Sequence, residues 1–193
     1  MKHVLFICTG NVCRSPMAEE LFRSQLGGDR EIEVSSAGIG AVAGQPPSSY
    51  SIEVMKEKGL DISRIRSQPI QQELVRKADF IFVMTYGHLD SLLLLYPSAA
   101  EKTFLLREFQ AGLSPDEREV DDPIGQSRET YRACRDQIEQ SIPSLLKVVR
   151  SGVRSEPAPA GGAMAIGLAG DASGRILLSE AAEVLRDEGC VTV

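Results

Sequence analysis

The chain has 193 residues, 42% hydrophobic and 25% charged, which fits one globular domain or a domain with an appendage. Its formal charge of -6 argues against nucleic acid and anionic membranes as partners. No run approaches the roughly 20 apolar residues of a membrane span, residues 4–7 are too short for the apolar region of a signal peptide, and four scattered cysteines do not make a secreted disulfide framework. A cytoplasmic protein is expected.

The apolar run at residues 3–8 predicts a buried strand. Gly10 and Asn11 turn the chain, and Ser15-Pro16 predicts a helix start, with Ser15 as cap and Pro16 in the first helical position. Met17, Ala18, Leu21, Phe22 and Leu26 recur at helical spacing until Gly27-Gly28. Residues 31–36 alternate as a second strand. A loop rich in Gly and Pro follows, then a helix over 48–58 that Gly59 ends. Residues 80–84 predict a third strand, 89–96 a short helix and 103–106 a fourth strand. Tyr131, Cys134, Ile138, Ile142 and Leu145 place a long helix over 127–149, which Pro143 is expected to kink or interrupt. Alternating strands and helices predict an α/β domain over residues 1–150 with a mainly parallel sheet. Ligands of such sheets bind beyond the carboxyl ends of the strands, where residues 8–15 fall.

That segment reads Cys8-Thr9-Gly10-Asn11-Val12-Cys13-Arg14-Ser15. A helix N-terminus offers unpaired N–H groups and partial positive charge, and a tight loop gathers further N–H groups into an anion nest. Gly10 lets the backbone approach the anion, Asn11 tolerates a left-handed conformation, and the planar fork of Arg14 suits two phosphate oxygens. Cys8 would sit at the bottom of the nest. Helix N-termini and cations bring cysteine pKa values from about 8.5 into the range of roughly 3.5 to 7.5, and a thiolate beneath phosphorus is placed for in-line attack. Ser15 could donate a hydrogen bond to it. A buried structural cysteine beside an ordinary arginine is the plain alternative, and the strand, glycine and Ser-Pro context argues against it.

Residues 4–19, VLFICTGNVCRSPMAE, resemble the signature of the low-molecular-weight protein tyrosine phosphatases, a family that includes bacterial protein arginine phosphatases. Ser35-Ser36-Ala37-Gly38 resembles that family's second-strand segment, and Asp122-Pro123 its general-acid motif. The resemblance covers about residues 2–150. It implies a four-stranded parallel sheet flanked by helices, and a phosphomonoesterase with neither metal nor cofactor that acts on phosphorylated proteins. It also implies that Cys8 is the nucleophile, that Arg14 clamps the phosphate with Thr9, Gly10, Asn11, Val12, Cys13 and Ser15, and that Asp122 is the general acid and base. The residues alone leave Asp121 and Asp122 as equal candidates; the following Pro123 favours Asp122 and leaves Asp121 to solvent.

Other expectations follow. The resemblance suggests a reversible Cys8–Cys13 disulfide, set against a loop-packing role for Cys13. Cys134 falls on the apolar face of the last helix and should pack in the core. His3 and His88 are expected to be structural or at the surface, with Tyr86 and His88 as candidates for the pocket rim. Relatives carry a histidine where this chain has Ile65, which alters the support of the loop. Two markers of substrate disagree. Ile124-Gly125 after Asp122-Pro123 is nearer the arginine-type pattern, whereas Val12 replaces the threonine of arginine-type members and is more typical of the tyrosine type. Phosphotyrosine is the first expectation, phosphoarginine the alternative and arsenate reduction third, because residues 80–110 contain no cysteine.

Residues 151–163 read as a linker rich in Pro, Gly, Ala and Ser. Residues 164–193 resemble the first strand, glycine-rich turn, helix and strand of a B-type ribose-5-phosphate isomerase. The turn at 167–174 carries Asp171 without the histidine that usually accompanies it. About 30 residues cannot bury a core alone, so a truncated strand–helix–strand appendage without isomerase activity is expected, prone to self-association.

Overall fold

The computed structural model describes residues 1–152 of the chain; the linker and the isomerase-like appendage lie outside the described residues. The elements run β1 (Lys2–Cys8), α1 (Arg14–Ser24), β2 (Ile32–Gly38), α2 (Ser49–Lys56), α3 (Gln72–Lys77), β3 (Phe80–Val83), α4 (Tyr86–Leu95), β4 (Thr103–Leu105) and α5 (Arg128–Ser151). Two short 3-10 turns flank β4, at Pro97–Lys102 and Pro115–Arg118. The sheet is the expected one, four parallel strands in the order β2-β1-β3-β4.

Because side chains of a strand alternate between faces, β1 and β3 feed two cores. Val4, Phe6, Phe80 and Phe82 pack on one face with Met17, Leu21 and Phe22 of α1, Val54 and Met55 of α2, and Ile138, Ile142 and Leu145 of α5. Leu5, Ile7, Ile81 and Val83 point the other way, onto Val75 of α3 and Leu92 of α4. The chain leaves β1 for β2 on one side and later crosses to β3 on the other. The sheet reverses direction beside β1, and the carboxyl end of β1 is the crevice where ligands of such sheets bind.

Three local expectations are corrected. Helix α1 begins two residues early, at Arg14; Cys13 is its N-cap and makes no side-chain capping bond, so Ser15 and Pro16 lie inside the first turn. Helix α3 has too few apolar residues for its period to be read. Pro143 neither ends nor interrupts α5, which runs as one helix to Gly152, whose φ of 66° forms a left-handed cap. Pro143 is on the exposed side, where water can take up the carbonyl it leaves unpaired, while the buried stripe from Tyr131 to Val149 anchors both halves. Helix α4 also starts earlier than expected, since the Thr85 hydroxyl accepts the N–H of His88 and caps it.

Candidate active site

The loop from Cys8 to Arg14 joins the end of β1 to the start of α1, and it folds back over the sulfur. Cys8 is 2% exposed. Its Sγ receives the backbone N–H of Asn11 at 3.3 Å and lies 3.0 Å from Ser15 Oγ. Asn11 has φ 55°, the left-handed conformation expected of it, and its side chain fixes the loop from inside. Asn11 Nδ2 donates to Ser15 Oγ at 2.9 Å and to Ser36 Oγ at 2.8 Å, and Asn11 Oδ1 accepts the N–H of Gln68 at 2.9 Å. Ser36 in turn donates to the buried Glu19 at 2.6 Å. These partners set the direction of the hydroxyl protons. Because Ser15 Oγ accepts from Asn11, its own proton is free for Cys8 Sγ. The sulfur thus faces two donors, the surroundings a thiolate nucleophile requires.

The neighbouring strand holds the loop by close contact. A Cβ on Gly38 would lie 2.6 Å from the carbonyl oxygen of Thr9 and 2.9 Å from the amide nitrogen of Asn11, both backbone atoms of the loop. Only glycine allows that approach. A Gly38→Ala chain is expected to displace the loop by a fraction of an ångström or more and to lower kcat/KM by about 100-fold, the scale of such misplacement, with a lower melting temperature. Unchanged kinetics would show that the contact does not set the loop. Ile65 packs partly buried on the core, and the support of Asn11 comes from Ser36 and from the backbone of Gln68.

Arg14 is 3% exposed, and its guanidinium spans the loop. Nη1 donates to the carbonyl of Val120 at 3.0 Å, and Nη2 donates to Asp122 Oδ2 at 2.5 Å and to Thr9 Oγ1 at 3.4 Å. Its Nε is buried without a partner among the described residues, a donor that an oxyanion would satisfy. Asp122 reaches this point from the loop before α5, its other oxygen accepting the N–H of Ile124 at 3.1 Å. A phosphate gripped by Arg14 would therefore compete with Asp122 for Nη2.

Cys8, Thr9, Gly10, Val12, Cys13, Arg14, Asp122 and Ile124 line one cavity of about 160 Å³. Of the nucleophile-loop residues and Asp122 that sequence reasoning placed in the site, all but Asn11 and Ser15 line it; those two stand behind the wall, against the sulfur. Asp121 is exposed to solvent, as expected. Cys13 Sγ donates to Ser48 Oγ at 3.4 Å and lies 3.4 Å from the hydroxyl of Tyr131, so it packs the loop against α2 and α5 as well as being the second thiol of the site. Burial raises the Tyr131 phenol to about 12, which keeps it a hydroxyl. Cys134 is buried, and burial pushes its thiol up to about 12, as befits a core residue. Cys190 lies outside the described residues.

Sequence reasoning gave little weight to His88. It is 8% exposed, and both ring nitrogens are engaged, Nδ1 with Thr85 Oγ1 at 2.7 Å and Nε2 with Thr9 Oγ1 at 2.9 Å. Its side chain lines a second groove of about 410 Å³ that shares Thr9, Arg14 and Asp122 with the first. Tyr86 does not line either. The sequence offered His88 only as a rim candidate, because the bond that ties it to the loop joins residues 79 apart.

The family model described as "Low molecular weight phosphotyrosine protein phosphatase" matches residues 3–155. A protein-arginine-phosphatase of Geobacillus stearothermophilus is 40% identical over 149 residues, spanning 77% of this chain and 96% of that protein. One of Bacillus subtilis is 34% identical over 150 residues, with 76% and 96% covered. Among solved structures, a low molecular weight protein tyrosine phosphatase from T. tengcongensis superposes with a TM-score of 0.70 at 38% identity, covering 76% of this chain and 99% of that one.

Proposed function

Since the chain belongs to the low molecular weight phosphotyrosine protein phosphatase family and is a phosphoric monoester hydrolase of that kind, we propose that it hydrolyses phosphoarginine in proteins through a phosphocysteine on Cys8. The sulfur attacks phosphorus, the S–P bond forms, and the P–N bond to the guanidinium breaks. Asp122 gives its proton to the departing nitrogen. As a carboxylate it then takes a proton from water, whose oxygen attacks phosphorus and releases Cys8 and inorganic phosphate. Arg14 holds the phosphoryl oxygens throughout, where charge stabilisation counts most.

The observation that carries phosphoarginine over phosphotyrosine is the wall of the cavity. Val12 and Ile124 form its apolar sides and Asp122 its polar side, with no aromatic ring among the lining residues. A phenyl group gains about 0.5–1.5 kcal/mol from a stacking ring beyond its buried area, and here it would find none. A planar guanidinium group finds the Asp122 carboxyl, which can accept an N–H on one oxygen while its O–H faces the departing nitrogen. The relatives from Geobacillus stearothermophilus and Bacillus subtilis are protein-arginine-phosphatases, which supports the same choice. Phosphotyrosine is the second reading, and one residue favours it: Val12 cannot offer the hydroxyl that threonine would offer to a nitrogen-linked phosphate and its attacking water.

Phosphate release from matched phosphoarginine and phosphotyrosine peptides tests the choice. The phosphoarginine peptide is expected to turn over at least about tenfold faster, the factor that one well-placed hydrogen bond supplies, with Val12→Thr widening the gap. Faster turnover of phosphotyrosine by the wild-type chain would make Val12 the deciding residue and overturn the proposal.

A further inference from the structure

No step of the proposed reaction uses His88, yet its ring ties the nucleophile loop to the end of β3. Thr9, the residue after the nucleophile, has its hydroxyl 2.9 Å from His88 Nε2, and the same oxygen receives Arg14 Nη2 at 3.4 Å. On the far side of the ring, Thr85 Oγ1 lies 2.7 Å from Nδ1 and also accepts the capping N–H of His88 at 3.3 Å. One imidazole thus connects a helix cap, the loop and the phosphate clamp.

The proton directions are assigned so that every donor in the chain meets an acceptor. In the tautomer that uses every group once, Thr85, its oxygen already holding the capping N–H, gives its own proton to Nδ1. The ring proton then sits on Nε2 and points at Thr9. Thr9 Oγ1 accepts from both His88 and Arg14, so its hydroxyl proton faces neither of them. Burial, aided by the positive charge of Arg14, lowers the His88 pKa to about 4, so the ring is neutral, with one donor and one acceptor.

We propose that His88 is a positioning residue for this phosphatase: through Nε2–H it holds the Thr9 hydroxyl with its proton directed to a phosphoryl oxygen and keeps Thr9 under Arg14. The inference rests on the phosphatase chemistry and is independent of the choice between phosphoarginine and phosphotyrosine.

Three substitutions separate this role from a merely structural one. The amide nitrogen of glutamine falls near Nε2 and keeps the bond to Thr9; asparagine reaches only the Nδ1 position and keeps Thr85; leucine keeps neither. With para-nitrophenyl phosphate as substrate, His88→Asn and His88→Leu are expected to lower kcat by about tenfold, the worth of one hydrogen bond to a charged centre, with KM changed less than about threefold. His88→Gln is expected to retain kcat within about threefold, and melting temperatures measured alongside should not follow this order. Asn matching or exceeding Gln, or kcat simply tracking melting temperature, would overturn the proposal. Absence of turnover by the wild-type chain would instead sink the phosphatase chemistry itself. Nitrogen-15 shifts of the His88 ring in the wild-type chain give a check without substitutions: the proton on Nε2 supports the inference, and the proton on Nδ1 overturns it.

Discussion

Changing Cys8 to serine is expected to reduce phosphate release by about 10,000-fold or more, the scale on which enzymes lose turnover when a nucleophile is removed, while phosphopeptide still binds. The expectation comes from what surrounds the sulfur. Asn11 N–H and the Ser15 hydroxyl both point at Sγ, an arrangement that favours an anion. A serine hydroxyl ionises far too weakly to benefit, and among the described residues no histidine or lysine is hydrogen-bonded to that atom to serve as its base. Arg14 and the loop are untouched by the change, so affinity for the phosphate persists. Rapid quenching of the wild-type chain during turnover should trap one phosphoryl group on Cys8, and the serine chain should show no such burst. Residual turnover within tenfold of wild type would remove Cys8 from the nucleophile's role.

The second large effect is that of Asp122→Asn, and its size should depend on the leaving group. For phosphoarginine or an alkyl ester, where a proton must reach the departing atom, kcat is expected to fall by about 100- to 10,000-fold, the usual contribution of a general acid. For para-nitrophenyl phosphate, whose leaving group departs as a stable anion, the first step should be much less affected. KM is expected to fall in the same variant. Asp122 Oδ2 holds Arg14 Nη2 at 2.5 Å, and substrate phosphate must displace it; a neutral asparagine competes less well for that nitrogen. An equal loss for good and poor leaving groups would mean that Asp122 does not deliver the proton.

Much of this site could be read from neighbours in sequence. Cys8, Arg14 and the residues between them form one turn from a strand into a helix, and the anion nest needs only that local geometry. The four strands were legible because buried parallel strands are continuous apolar runs, and the five residues of α5 at helical spacing marked its buried face. Misreadings occurred where a local rule met a tertiary demand. Ser15 looked like a helix cap, but the loop uses its hydroxyl on Cys8 and Asn11. Pro143 looked like a break, but ten buried residues along α5 hold the helix through it. The contrast of Val12 with Ile124-Gly125 pulled the substrate assignment two ways. Only the assembled cavity brings Val12 and Ile124 into one lining, which contains no aromatic residue.

The sequence by itself pointed to the chemistry: a cysteine and an arginine bracket a loop at a helix start, a pattern suited to cradling an oxyanion over a nucleophile. Tertiary structure alone decided how that loop is held. Gly38 presses on it from β2, Ser36 and Gln68 grip Asn11, Asp122 arrives beside Arg14 from 108 residues away, and His88 reaches Thr9 across 79. The reason is physical. A nest of backbone amides and a capped helix arise from bonds a few residues long, whereas the orientation of a hydroxyl proton or a carboxylate depends on groups that only the order of strands in the sheet brings together.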